Sequence, residues 1–240
     1  MVSLANARGP RGQRLYAIGD VHGMLGALRA METLIEADLA ADPPEDWHLV
    51  LLGDYVDRGP GSPAVLDWVA ERLTDGKTTA LLGNHDAMFL DAIETPDSPT
   101  IEGWLAYGGL QTLAAYQLSP ERSTLHASLQ AAVPEEQRTL LAGLPLCFRA
   151  ADYFFVHAGI DPSRPIDAQR PDDLIWIRRP FLDSTAEFDA VVVHGHTPVR
   201  SVEMHPNRIA LDTGAVFGRT LSCLVIDEAE RRILSVPGQP

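Results

Sequence analysis

Leu15-Tyr16-Ala17-Ile18-Gly19-Asp20-Val21-His22-Gly23 is the stretch that decides the fold: a short apolar run, a glycine, then an aspartate and a histidine two residues apart. Such a run closed by a turn residue reads as a buried strand. Side chains alternate along a strand, so Asp20 and His22 can converge on one ion at its frayed end. The same construction recurs at residues 49–53, 79–83, 153–157 and 191–195. These runs lead into Asp54-Tyr55-Val56-Asp57-Arg58-Gly59, Asn84-His85-Asp86, His157-Ala158-Gly159 and His196-Thr197-Pro198. Carboxylates, an amide and imidazoles brought from several strand ends to one place predict a two-metal hydrolase.

Helical patterns separate the early strands. Residues 24–38 are amphipathic, with Leu25, Leu28, Leu34 and Ile35 able to share a face. Ser62-Pro63 reads as an N-cap followed by proline at the first helical position, opening a helix to residue 73. Strand and helix alternation predicts an α/β layered fold with its chemistry at the carboxyl ends of the strands. From about residue 100 to 145 the pattern is helical, with Pro134-Glu135-Glu136 as a start and Gly143 as a stop, and it reads as an insertion covering one side of the site. Residues 208–212, 221–227 and 231–236 read as successive strands of a second sheet. Residues 1–13 read as a flexible tail, leaving 14–240 as a single catalytic domain.

Composition sets limits. The 240 residues, 45% hydrophobic, suffice for one globular domain with a substantial core. A formal charge of −14 argues against nucleic acid or anionic membranes as general partners. A phosphate substrate must then be drawn by local charge, which bound metals supply. Cys147 and Cys223 stand beside apolar residues and read as free thiols. The start of the chain carries Arg8, Arg11 and Arg14 without a long apolar stretch, so the expected location is the cytoplasm.

Each motif also has a plainer meaning. Asp20 and His22 alone would make an ordinary polar turn. Asp54, ending a strand, has two oxygens with which to bridge two cations. Asp57 is expected to orient Arg58, whose planar fork suits phosphate oxygens. Asn84 is a neutral hard ligand, and His85 is expected to be a general acid with Asp86 holding its ring; the three residues equally suit a helix N-terminus. His157 and His196 read as ligands of the second metal, while His194 reads as core or as a support for His196. His48, His126 and His205 read as surface residues. Arg178, in Asp172-Asp173-Leu174-Ile175-Trp176-Ile177-Arg178-Arg179, is a candidate second phosphate clamp with Trp176 as a wall.

Together, Gly-Asp-x-His-Gly, Gly-Asp-x-x-Asp-Arg-Gly and Gly-Asn-His-Asp resemble the signature boxes of the PPP metallophosphatases, and Asp212-Thr213-Gly214-Ala215 resembles the closing segment of bacterial members. The resemblance runs from Leu15 to about Asp227. It implies a four-layer α/β/β/α sandwich. One metal is expected at Asp20, His22 and Asp54, the other at Asp54, Asn84, His157 and His196. Two divalent ions are implied, manganese first, with iron and zinc as alternatives. A hydroxide shared by the metals would attack phosphorus, His85 would protonate the leaving oxygen with Asp86 orienting it, and Arg58 and Arg178 would hold the phosphoryl group. The expected substrate is a phosphoprotein or small phosphoester, the activity that of a serine/threonine-type protein phosphatase. Symmetrical hydrolysis of diadenosine tetraphosphate is the alternative, with Trp104, Tyr107, Tyr116 and Trp176 as candidate stacking residues.

Overall fold

A computed structural model describes residues 1–238. The strands are β1 (Gln13–Ile18), β2 (Asp46–Leu51), β3 (Thr78–Ala80), β4 (Cys147–Ala150), β5 (Tyr153–Val156), β6 (Val191–His194), β7 (Glu203–Met204), β8 (Arg208–Ala210), β9 (Thr220–Asp227) and β10 (Glu230–Pro237). They form two five-stranded sheets, ordered β10-β9-β1-β2-β3 and β4-β5-β6-β8-β7. β1, β2 and β3 run parallel in the first sheet, and β5, β6 and β8 run parallel in the second.

Alternation along β1 divides the core. Leu15 and Ala17 share a buried cluster with Val50, Tyr153, Phe155, Val191, Val193 and Ile209, which is the seam between the sheets. Tyr16 and Ile18 belong instead to a cluster with Leu28 and Met31 of α1 (Leu25–Ala41) and Val65 and Val69 of α2 (Ser62–Leu73). The outer face of the second sheet, through Phe154, Val156 and Val192, packs on Ile160, Ile166, Leu174 and Phe181. The order is therefore helices, sheet, sheet, and a thinner cover whose one α-helix is α8 (Pro171–Trp176). That is the expected α/β/β/α sandwich.

The helical insertion follows α3 (Asn84–Glu94). It contains α4 (Ile101–Trp104), a π-helical turn over Leu105–Gly109, α5 (Leu110–Ala115), α6 (Leu125–Ala132) and α7 (Glu135–Gly143). Phe89, Trp104, Leu113, Leu129 and Leu141 continue the α1–α2 core into it without a break.

Four expectations are corrected. Residues 1–12 are no free tail: Val2 bridges to Phe188, the Leu4 N–H donates to the Pro206 carbonyl at 2.7 Å, and Ala7 is buried. The final strands do not share one sheet, since β8 pairs with β6 whereas β9 crosses back to pair with β1. Ser62 does not cap α2; its hydroxyl instead accepts the Asp57 N–H at 3.1 Å. His48, expected at the surface, is half-buried, stacked on Phe148 at 5.0 Å and hydrogen-bonded to Thr79 at 2.9 Å. Both cysteines are free, as expected.

Candidate dinuclear metal site

The parallel strands of both sheets deliver their carboxyl ends to one place. Asp20 follows β1, Asp54 follows β2, Asn84 opens α3 after β3, His157 follows β5 and His196 follows β6. All five, with His22 and His85, are buried. Their loops are tightly wound: His22, Asp54, Asp57, Arg58 and His196 have φ between 45° and 72°. Left-handed backbone in residues other than glycine typically costs on the order of 1–3 kcal/mol and persists where its surroundings enforce it, commonly at functional sites.

Asp54 sits at the centre. One of its oxygens lies 3.4 Å from His157 Nε2, and the other lies 3.5 Å from His22 Nε2. Two groups of ligand atoms, each within 4.8 Å of one another, meet there: His22, Asp54 and His85, and Asp54, His157 and His196. The first brings in His85 where the sequence suggested Asp20. The Asp20 carboxylate is adjacent and accepts the backbone N–H of His196 at 3.1 Å. Asn84 Oδ1 is 2.7 Å from His196 Nδ1 and 3.0 Å from His157 Nε2.

The donor chemistry fits cations. Burial lowers the pKa of His22 and of His196 to about 3 and also lowers that of His157, so these rings are neutral. His157 Nδ1 faces the Leu52 carbonyl at 2.8 Å, and His22 Nδ1 faces that of Val56 at 2.8 Å. A carbonyl can only accept, so both rings are Nδ1–H tautomers and each presents an Nε2 lone pair to the centre. At His157 that lone pair faces Asn84 Oδ1 and Asp54 Oδ1, which are themselves acceptors. Converging buried lone pairs without a proton between them are costly, and a divalent cation relieves them. Carboxylate crowding points the same way. Burial, then Asp212 and Asp54, raises Asp20 well above the ordinary carboxylate range, while burial raises Asp212 to about 6.

Two roles are exchanged relative to the sequence reading. Asp86 does not hold the His85 ring; its carboxylate accepts the N–H groups of Asp54 at 2.7 Å, Tyr55 at 2.9 Å and Gly83 at 3.0 Å. The partner of His85 is Asp57, whose Oδ2 lies 2.7 Å from His85 Nδ1, so Asp57 serves this ring and not Arg58. Burial opposes a charged His85 ring, but Asp54 and Asp57 outweigh it and raise its pKa. Burial also raises Asp86, to about 7. His85 and Asp86 are consecutive on a helix, and helix neighbours in sequence do not face each other. His194 is a core residue, edge-on to Phe181 at 5.1 Å.

The guanidinium groups flank a cavity of about 200 Å³ lined by Asp54, Arg58, Asn84, His85, Tyr107, Trp176, Arg178 and His196. Arg58 reaches His22 Nε2 at 2.5 Å and His85 Nε2 at 2.8 Å, while Arg178 Nε donates to His196 Nε2 at 3.2 Å. Arg58 therefore serves the first end of the site and Arg178 the second. Of the aromatic residues suggested for stacking, Trp104 is fully buried and Tyr116 packs on Phe89, whereas Tyr107 (62% exposed) and Trp176 (43%) stand at the rim.

Clustered hard ligands at the carboxyl ends of two packed sheets define a metallohydrolase. The chain belongs to the calcineurin-like phosphoesterase family, whose model matches residues 13–224. It is 30% identical over 219 residues to serine/threonine-protein phosphatase 1 of Salmonella typhimurium, covering 88% of this chain and 90% of that protein. It is 26% identical over 284 residues to the symmetrical bis(5'-nucleosyl)-tetraphosphatase of Aromatoleum aromaticum, covering 92% and 96%. A crystal structure provisionally assigned as a diadenosine tetraphosphatase superposes with a TM-score of 0.68 at 27% identity, covering 95% of both chains. Among the described residues no helix is long and apolar enough to cross a membrane.

Proposed function

We propose that the chain hydrolyses phosphomonoesters, with phosphorylated serine and threonine side chains as its substrate class. The observation that carries this reading is that Arg58 and Arg178 line one cavity of about 200 Å³ together with the shared Asp54. A terminal phosphoryl group offers three non-bridging oxygens to these two forks and to two cations, whereas an internal phosphoryl of a polyphosphate offers two. The open rim lets the rest of a large substrate stay outside. Asp20, His22 and Asp54 would hold one cation, and Asp54, Asn84, His157 and His196 the other. Bound divalent cations supply charge for the phosphoryl oxygens and acidify water.

The chain's own groups do the rest. Arg58 and Arg178 fix the phosphoryl group for attack opposite the leaving oxygen. With Arg58 drawn to the substrate, His85 Nε2 carries a proton to that oxygen as its bond to phosphorus breaks. Asp57 keeps Nδ1 protonated and the ring in place. Asp86 shapes the Asp54 loop by gathering its N–H groups.

Symmetrical cleavage of dinucleoside tetraphosphates is a second reading, favoured by exposed Tyr107 and Trp176 in the lining of the cavity, on which bases could stack. The discriminating experiment is a side-by-side assay of a phosphoserine peptide and diadenosine tetraphosphate with manganese. Faster turnover of the peptide is expected. Turnover of the dinucleotide alone overturns the first reading in favour of the second.

A further inference from the structure

We infer that Trp104 and Thr112 are positioning residues for the proton donor, acting from the helical insertion through Asp57. This rests on His85 as proton donor, as proposed above. Trp104 Nε1 lies 3.0 Å from both Asp57 oxygens, and the Thr112 hydroxyl donates to Asp57 Oδ1 at 2.6 Å. The other oxygen, Oδ2, faces His85 Nδ1 at 2.7 Å. The Asp57 backbone is tied to the same group of side chains. Its N–H is 2.9 Å from Thr112 Oγ1 and 3.1 Å from Ser62 Oγ, and the two hydroxyls are 3.1 Å apart. One proton assignment satisfies everything: Thr112 donates to Asp57, Ser62 donates to Thr112, and the Asp57 N–H is shared between the two hydroxyl oxygens.

All five residues are buried, so no water competes for these bonds. A buried carboxylate with a single partner could swing with it. Here three donors aim at the two oxygens from separate elements: Trp104 from α4, Thr112 from α5 and His85 from α3. The plane of the carboxylate is thereby fixed, and with it the ring it holds. Buried polar networks that are fully satisfied rigidify their members in this way. Neither residue touches the space a substrate would enter, since neither lines the cavity. The insertion thus does more than cover one side: its α4–α5 segment sets the aim of a group on another helix.

The test uses Trp104→Phe, which keeps a ring against Phe89 (5.6 Å away) but removes the N–H, and the near-isosteric Thr112→Val. Thr112→Ser retains the hydroxyl and serves as rescue. Each of the first two should lower kcat on phenyl phosphate about 10-fold, a part of the ~10²–10⁴-fold that a general acid supplies. KM and bound metal should stay close to their wild-type values. The loss should shrink on p-nitrophenyl phosphate, whose leaving group needs less proton assistance. In a His85→Asn background both substitutions should have no further effect on kcat, because residues acting as a unit are not additive. A readout independent of turnover is the low-field proton resonance of His85 Nδ1–H in metal-free protein. It should shift or broaden in the Trp104→Phe and Thr112→Val variants and persist with Thr112→Ser. Equal losses on both substrates, or the same losses in the His85→Asn background, would reduce Trp104 and Thr112 to packing residues and overturn the inference. An unchanged resonance would overturn it too. A wild-type protein without phosphatase activity but with the resonance changes intact would sink the functional reading alone.

Discussion

Among single residues, the pairing that matters is between side chains far apart in sequence. His85→Asn should retain both cations and most of the stability while kcat on phenyl phosphate falls by about 10²–10⁴-fold. Metal analysis beside kinetics checks this, and loss of metal in step with rate would make His85 a ligand, as its grouping with His22 and Asp54 also allows. The sequence showed which residues gather here, because an apolar run ending in Gly, Asp or His marks a buried strand and places the residues that follow at its carboxyl end. It did not show which carboxylate serves which ring. Adjacency suggested Asp86 for His85 and Asp57 for Arg58. Helix geometry sends Asp86 back towards the Gly83 N–H and the Asp54 loop, and Asp57 is free to meet His85 because its φ of 72° turns it out of the strand path.

Among the elements, the π-helical turn in the insertion anchors the Arg58 loop. The Gly108 carbonyl accepts the Arg58 N–H at 3.1 Å, and Gly108 has φ 124°. A Cβ there would lie 2.8 Å from the Arg58 nitrogen. Gly108→Ala should therefore destabilise by about 1–3 kcal/mol and raise KM for p-nitrophenyl phosphate through displaced Arg58; thermal melts and kinetics measure the two effects, and an unchanged KM would detach the turn from phosphate binding. Between the sheets, burial lowers the pKa of His48 below its ordinary 6.5. The folded state prefers the neutral ring, so the stability this ring contributes is present above pH 6.5 and lost as pH falls. On lowering the pH from about 7 to 5, wild type should lose more stability than His48→Gln. Parallel curves for the two proteins would show that the ring is not penalised for charging. The partial burial of His48 was hidden in the sequence, as its cover, Phe148, belongs to the other sheet.

Across the whole molecule, a chain of net charge −14 places two arginines, Arg58 and Arg178, on the cavity beside Asp54. Removing cations with a chelator should lower the melting temperature, because Asp20, Asp54 and Asp212 are left facing one another. Added manganese should restore it, and insensitivity to chelation would count against a metal role in the fold. The layer order was legible in the periodicity of the strands and the family boxes. The route of the C-terminal strands was not, because a period-two pattern marks a buried strand without saying which of two sheets receives it. Nor was the packing of residues 1–12, whose contacts are mostly backbone hydrogen bonds. Anomalous diffraction from crystals grown with manganese bears most directly on the paired-cation site around Asp54. Two peaks about 3.5–4 Å apart are expected, with the Asp54 carboxylate between them; a single peak, or peaks away from Asp54, would contradict the site.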